Sequence, residues 1–256
     1  EPFVTLWHWT IPIWFQQQGG WLSPKSPYYF ERFASRVATD IGSAVKFWNT
    51  LNEPDVFVGY GYIGGIRPPQ SQSLWKAMKV YRRLMHAHTV AYQVLHSIAR
   101  REGRACFVGI AKHDKWFVSA DATLKNRFFT TAAKFFWNDL FMRRTRGYHD
   151  YIGLNYYNRN VIDFGWGKPR RGMYNLEESA EGLYWVLMNL REYGKPIYII
   201  ENGLDDFTDA RRAEFVKNHL KAVVKAIREG ADVQGYSHWS LMDNYEWENG
   251  FGPRFG

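Results

Sequence analysis

The sequence predicts an α/β fold whose parallel strands close into a (β/α)8 barrel. Three observations carry that prediction. Short apolar runs alternate with longer segments of helical period along the whole chain, and strand-helix alternation at this pitch implies a parallel sheet with right-handed crossovers. Polar and ionisable residues stand at the carboxyl end of strand after strand: His8, Asn52 with Glu53, Asn155, Glu201, and His238 with Trp239. A ring of functional groups at strand ends is how barrel active sites are built. No G-x-G-x-x-G follows a strand and no G-x-x-x-x-G-K-[ST] occurs, which weighs against the doubly wound, nucleotide-binding alternative.

In chain order, a strand at 4–8 is followed by a helix at 27–40 and a strand at 45–52. A helix at 73–101 leads to a strand at 107–111, and a helix at 126–146 to a strand at 151–157. A helix at 178–193 precedes a strand at 197–201, and a helix at 209–229 precedes a strand at 234–239. Each strand is rich in β-branched or aromatic residues and apolar on both faces, as buried parallel strands are. The helix at 209–229 has the clearest pattern: Phe215, Leu220, Val223, Val224 and Ile227 share a face, with Lys and Arg between. Asp209 stands where an N-cap belongs and Gly230 where a helix stops. Six strands are counted and eight close a barrel, so the count falls two short.

No low-complexity tract divides the 256 residues, which reads as one catalytic barrel domain over 1–256, incomplete at both ends. The chain opens in a strand without an initiator Met and stops directly after a patterned aromatic segment. Twelve Trp, 16 Tyr and 18 Phe exclude a disordered chain, and the lone Cys106 excludes a disulfide scaffold. The longest uncharged stretch, 2–24, contains Pro12, three glutamines and Gly19-Gly20, so no membrane span is expected. With neither a signal segment nor paired cysteines, a cytoplasmic location is the expectation. The net charge of +8 is scattered in ones and twos, a solvated basic surface rather than a nucleic-acid footprint. Abundant Trp and Tyr suit flat, weakly polar ligands such as sugar rings.

Glu53 closes one strand in Thr-Leu-Asn-Glu-Pro, and Glu201 closes another in Ile-Ile-Glu-Asn-Gly. Carboxylates at such strand ends are costly unless solvated, paired or used. Two of them across a cleft would suit glycosidic bond cleavage, one protonating the leaving oxygen and one attacking or activating water. Salt-bridged structural glutamates are the other reading of the same spacing.

The words TLNEP and IENG, with WHWTIP upstream, GLNYY between and HWSLMDNYEWENGF downstream, resemble glycoside hydrolase family 1. The resemblance runs from Phe3 to Gly256 and implies a (β/α)8 barrel and a retaining β-glycosidase. On that alignment strands 3–8 are represented and strands 1–2 are missing, and with them a sugar-binding Gln and an Arg that steadies the nucleophile. It implies that Glu53 is the acid/base, Glu201 the nucleophile and Asn52 the ligand of the sugar 2-hydroxyl. His8 matches a sugar-hydroxyl ligand, with Trp9 beside it. Tyr157 matches the tyrosine that hydrogen-bonds the nucleophile, with Asn155 nearby. Trp239 is similar to the floor under the non-reducing sugar, and Glu246 with Trp247 to the pair reading the remaining hydroxyls. A retaining mechanism requires the two carboxyl groups about 5–5.5 Å apart. Glu246 also favours an unphosphorylated glycone, because a carboxylate would repel phosphate.

Departures from the family pattern are Ile200 before the nucleophile, Asn158 after the paired tyrosines, and a short, basic segment at 163–176. Other residues read as structural. His86 and His88 point apart on a helix, and His238 alternates away from Trp239. Cys106 reads as a buried hydrophobe entering a strand, while Trp75, Trp116, Trp137 and Trp185 read as packing residues in helices or loops. No metal and no cofactor are expected. The expected activity is exo-hydrolysis of terminal β-D-glucosyl residues, with tolerance for β-galactosyl or β-fucosyl groups, on small β-glucosides or oligosaccharides. A 6-phospho-β-glycosidase and a sugar-binding barrel without turnover are the rivals. A second polypeptide piece or an upstream segment would complete the barrel.

Overall fold

The computed structural model describes residues 1–163 and 176–256, so most of the basic segment at 163–176 lies outside the described residues. The chain forms two compact units, residues 1–112 with 144–153, and residues 113–143 with 154–256.

The first unit contains β1 (Phe3–Trp7), the short α1 (Ile13–Gln17), α2 (Ser26–Ile41), β2 (Phe47–Asn52), α3 (Pro54–Val58), α4 (Leu74–Arg101) and β3 (Phe107–His113). β1, β2 and β3 lie side by side and parallel. Phe3 is in register with Phe47, and Phe47 with Phe107. Their rings stack with centroids 4.5 and 5.1 Å apart, an aromatic ladder that fixes the pairing at the amino ends of the strands. Trp48, Leu51, Val108 and Ile110 are fully buried, as strands covered on both faces require. α2 and α4 pack together, and Ala34, Ala38, Ala87 and Ala91 have no exposure at all. Gly109 lets β3 pass Tyr151: a Cβ there would sit 2.7 Å from the Tyr151 carbonyl oxygen and its ring. The Tyr151 hydroxyl donates to Asn49 Oδ1 at 2.9 Å.

Two polar knots tie α4 to this sheet. His88 Nε2 donates to the Tyr148 carbonyl at 2.8 Å, which leaves Nδ1 to accept from the Thr50 hydroxyl at 2.6 Å. Burial pushes the His88 imidazole down to about 4, so the ring is neutral. The His149 ring stacks on it at 4.5 Å. In the second knot, Asp150 accepts from Tyr92 at 2.9 Å, His96 at 2.7 Å and the Val108 N–H at 2.7 Å.

The second unit contains β4 (Trp116–Ser119), α5 (Leu124–Lys134), a π-helical turn at Phe135–Asp139, α6 (Leu140–Arg144) but for its last residue, the second half of β5 (Ile152–Asn155), β6 (Arg159–Ile162), β7 (Leu176–Glu177), α7 (Ala180–Leu190), β8 (Ile197–Glu201), α8 (Arg212–Arg228) and β9 (Val233–Tyr236). β5 lies beside β8, and β8 pairs in parallel with β9. A separate small sheet pairs β4 with β6 in parallel and β6 with β7 antiparallel. α7 packs on α8, burying Leu183, Val186, Leu187 and Leu190. Ser179 caps α7 by accepting from the Gly182 N–H at 3.0 Å.

Several expectations need correction. The helix at 126–146 is α5, a π-helical turn and α6 in succession. α8 begins at Arg212, not Asp209. Asp209 is left-handed with φ 59° and is held by Arg212 Nε, so its carboxylate meets a guanidinium instead of capping. Gly230, at φ 93°, does stop the helix. Of the apolar α8 positions only Phe215 and Val223 are buried, together with His219 and Ala226, while Leu220, Val224 and Ile227 are exposed. β1, β5 and β9 end before His8, Tyr157 and Trp239, which stand in the loops beyond. Cys106 precedes β3 and is half-buried rather than in the core. Trp116 belongs to a strand of the small sheet rather than to a helix or loop. Trp75 is largely exposed under Lys79.

Candidate active site

In the first unit the site residues gather where β1 and β2 end. The Asn52 side-chain amide donates to His8 Nε2 at 3.1 Å, and the Trp9 indole N–H donates to the Asn52 carbonyl at 3.1 Å. Burial pushes the His8 imidazole down to about 4, with the Arg67 guanidinium adding to the effect. His8 is therefore neutral, as its role as acceptor from Asn52 requires. Arg67 lies 4.5 Å over the Trp9 ring and 5.0 Å from the Tyr60 ring centre. Glu53 follows Asn52 directly and is 5% exposed. Its backbone is left-handed at φ 45° and ψ 60°, which turns the chain out of the strand into α3, opened by Pro54. The Glu53 N–H donates to the Ala111 carbonyl at 2.8 Å.

In the second unit Glu201 ends β8 and is 8% exposed. Its Oε2 accepts from the Tyr157 hydroxyl at 2.7 Å, and the Asn155 side chain bonds the same carboxylate. Burial pushes the Glu201 carboxyl up to about 7. The Tyr157 and Asn155 bonds favour the anion and the Glu246 charge opposes it. The Tyr157 ring is set edge-on to Phe255 and to His113, at 6.2 and 6.0 Å. Asn202 donates to the Tyr156 carbonyl at 2.6 Å and accepts from Tyr236, so the loop after Glu201 is tied on both sides. Gly203 then passes the Trp239 carbonyl so closely that a Cβ would overlap its oxygen. The Trp239 indole N–H donates to Glu246 Oε1 at 3.2 Å. Trp247 opens a short 3-10 turn after Glu246 with φ 49°. Arg212 reaches behind this loop to the carbonyls of Leu204 at 2.7 Å and Phe255 at 3.0 Å.

His8, Trp9, Asn52 and Glu53 thus form one group, and Asn155, Tyr157, Glu201, Trp239, Glu246 and Trp247 another. Sequence reasoning missed several buried polar residues, Asp55 and Lys112 in the first unit and His113, Asp114 and Lys115 in the second. The Lys115 ammonium lies 4.1 Å over Trp137, whose indole donates to the His113 carbonyl at 2.9 Å. The available signal was a run of charged residues where an apolar strand ends, in Ala-Lys-His-Asp-Lys. Among the described residues no three His, Cys, Asp or Glu side chains are placed to hold a metal ion, and no helix is long and apolar enough to cross a membrane.

The model of glycosyl hydrolase family 1 matches this chain over residues 1–144 and 138–256. The chain belongs to that family. A relative, a β-galactosidase of Saccharolobus solfataricus, is 30% identical over 99% of this chain and 61% of its own length. The solved β-glycosidase from Pyrococcus horikoshii superposes with a TM-score of 0.89 at 35% identity, over 100% of this chain and 65% of that one. The Thermotoga maritima β-glucosidase in complex with glucoimidazole gives 0.86 at 27% identity, over 100% and 68%. The chain therefore has the α/β barrel fold of family 1 and spans somewhat under two thirds of the length of the first two.

Proposed function

We propose that this chain carries the catalytic centre of a retaining exo-β-glycosidase that removes terminal β-D-glucosyl residues, and possessing tolerance for β-galactosyl or β-fucosyl groups, from small glycosides and oligosaccharides. Glu201 is the nucleophile and Glu53 the acid/base. The observation that carries the reading is the setting of Glu201, a buried carboxylate aimed by two hydrogen bonds, from Tyr157 and Asn155, with a second carboxylate, Glu246, acting on it. A nucleophile needs fixed direction and access to its anion, and both bonds favour the anion. While Glu201 is charged, its field keeps Glu53 protonated to serve as acid. Glycosylation of Glu201 removes that charge, and Glu53 then accepts the proton of the incoming water. Asn52 and the neutral His8 bind sugar hydroxyls, Trp239 underlies the ring, and Glu246 with Trp247 reads the far hydroxyls. The Glu246 carboxylate favours a neutral glycone over a phosphorylated one. The glucoimidazole complex of the Thermotoga maritima relative supports a glucosyl-sized site.

Nitrophenol release from an aryl β-D-glucopyranoside tests the assignment. The wild-type chain should turn over, Glu201→Ala should not, and added azide should restore release in the variant. Equal rates in both proteins, or no release by the wild type, would overturn it.

A further inference from the structure

We propose that Lys112 and Asp55 clamp the turn that carries Glu53 and so set the direction of its carboxyl group. The inference rests on the reading of Glu53 as acid/base. A non-glycine residue keeps a left-handed backbone only where its surroundings impose one, and Glu53 is such a residue at φ 45°. Two neighbours on β3 impose it. The Ala111 carbonyl accepts the Glu53 N–H at 2.8 Å, and the Lys112 ammonium lies 3.2 Å from the Asp55 carboxylate. The Phe57 N–H closes the turn on the Glu53 carbonyl at 3.1 Å. The two charged side chains are 0% and 2% exposed. A buried ion pair is a poor source of stability, since desolvation offsets its attraction, but it holds one arrangement against others. Here it registers the first turn of α3 against the sheet. Lys112 and Asp55 are therefore positioning residues, acting on the reaction through Glu53.

The test uses the full chain with glutamate labelled with 13C, the Glu53 signal being identified by its loss in Glu53→Gln. Lys112→Met leaves a buried charge and can fail to fold, so Asp55→Asn with Lys112→Met removes both charges at nearly constant volume. In each folded variant the Glu53 13Cα shift should leave its left-handed value, while Lys112→Arg should retain it. Kinetics in azide supply the second arm. A dinitrophenyl glucoside needs no proton on departure, so the clamp variants should stay within about 3-fold of wild type on it. On an alkyl glucoside, which needs the proton, they should lose roughly 10²-fold. An unchanged 13Cα shift, or equal loss on both substrates, would overturn the clamp. A Glu53→Gln variant without this leaving-group selectivity would instead overturn the assignment of Glu53.

Discussion

The Tyr157 hydroxyl acts on one carboxylate and, through it, on the proton balance of the proposed reaction. Its bond to Glu201 at 2.7 Å favours the anion against the burial that pushes the group up to about 7. A hydrogen bond to a charged, buried partner contributes about 1.5–3 kcal/mol. Tyr157→Phe should therefore lower kcat/KM by roughly 10- to 100-fold. Without the hydroxyl the carboxyl titrates still higher, so the acidic limb of the pH–rate profile should move toward alkaline pH. A profile measured from pH 5 to 9 on both proteins checks the magnitude and the direction together. That Glu53 and Glu201 stand where strands end was legible from TLNEP and IENG, whereas the roles proposed for them rest on the family resemblance those words carry. The Lys112–Asp55 pair was not legible, because its members come from segments far apart in the chain and only the fold brings them within 3.2 Å.

At the level of elements, β1, β2, β3, β5, β8 and β9 and the main helices followed from the alternation of apolar runs with helical periods. β4, β6 and β7 were not legible: Arg-Asn-Val-Ile of β6 and Leu-Glu of β7 present no apolar run, and the Trp-Phe-Val of β4 is too short to tell a strand from a helical segment. The start of α8 was misplaced for a similar reason, since the Asp209 carboxylate that resembles a cap is taken by Arg212. Joints between elements also depend on contacts that no local pattern announces, and Asp150 is the clearest. It receives α4 through Tyr92 and His96 and β3 through the Val108 N–H. Burial alone would push its carboxyl up, but the His96, Val108 and Tyr92 bonds outweigh that and hold it below the usual range. Asp150→Asn should cost about 1–3 kcal/mol in urea unfolding. The substitution leaves the proposed site untouched, so specific activity per folded molecule should not change.

For the whole molecule, two kinds of buried group pull stability in opposite directions as pH changes. His88 titrates at about 4 in the fold against 6.5 when exposed, so its contribution is present above pH 6.5 and is lost as pH falls toward 4. His8 behaves the same way. Glu201 has the reverse sign. Raised from 4.5 to about 7, it binds a proton more tightly in the fold, and its ionisation costs stability as pH rises through that window. Each of these three terms is on the order of 3 kcal/mol, and burial lowers His219 and His238 as well, so the histidines outweigh the one glutamate. The urea midpoint should rise from pH 4 to 6.5. Glu201→Gln should steepen that rise and leave the protein more stable than wild type at pH 7, with the difference closing near pH 4.5. A flat or inverted difference between the two proteins would contradict this balance.

Gly203 carries a consequence for variation under selection. Only a hydrogen fits between its Cα and the Trp239 carbonyl, and that oxygen belongs to backbone that cannot swing aside like a side-chain tip. In a library randomised at position 203 and sorted for hydrolysis, every surviving clone should encode glycine, whereas the neighbouring position 205, exposed at the surface, should drift freely apart from its contact with Arg254.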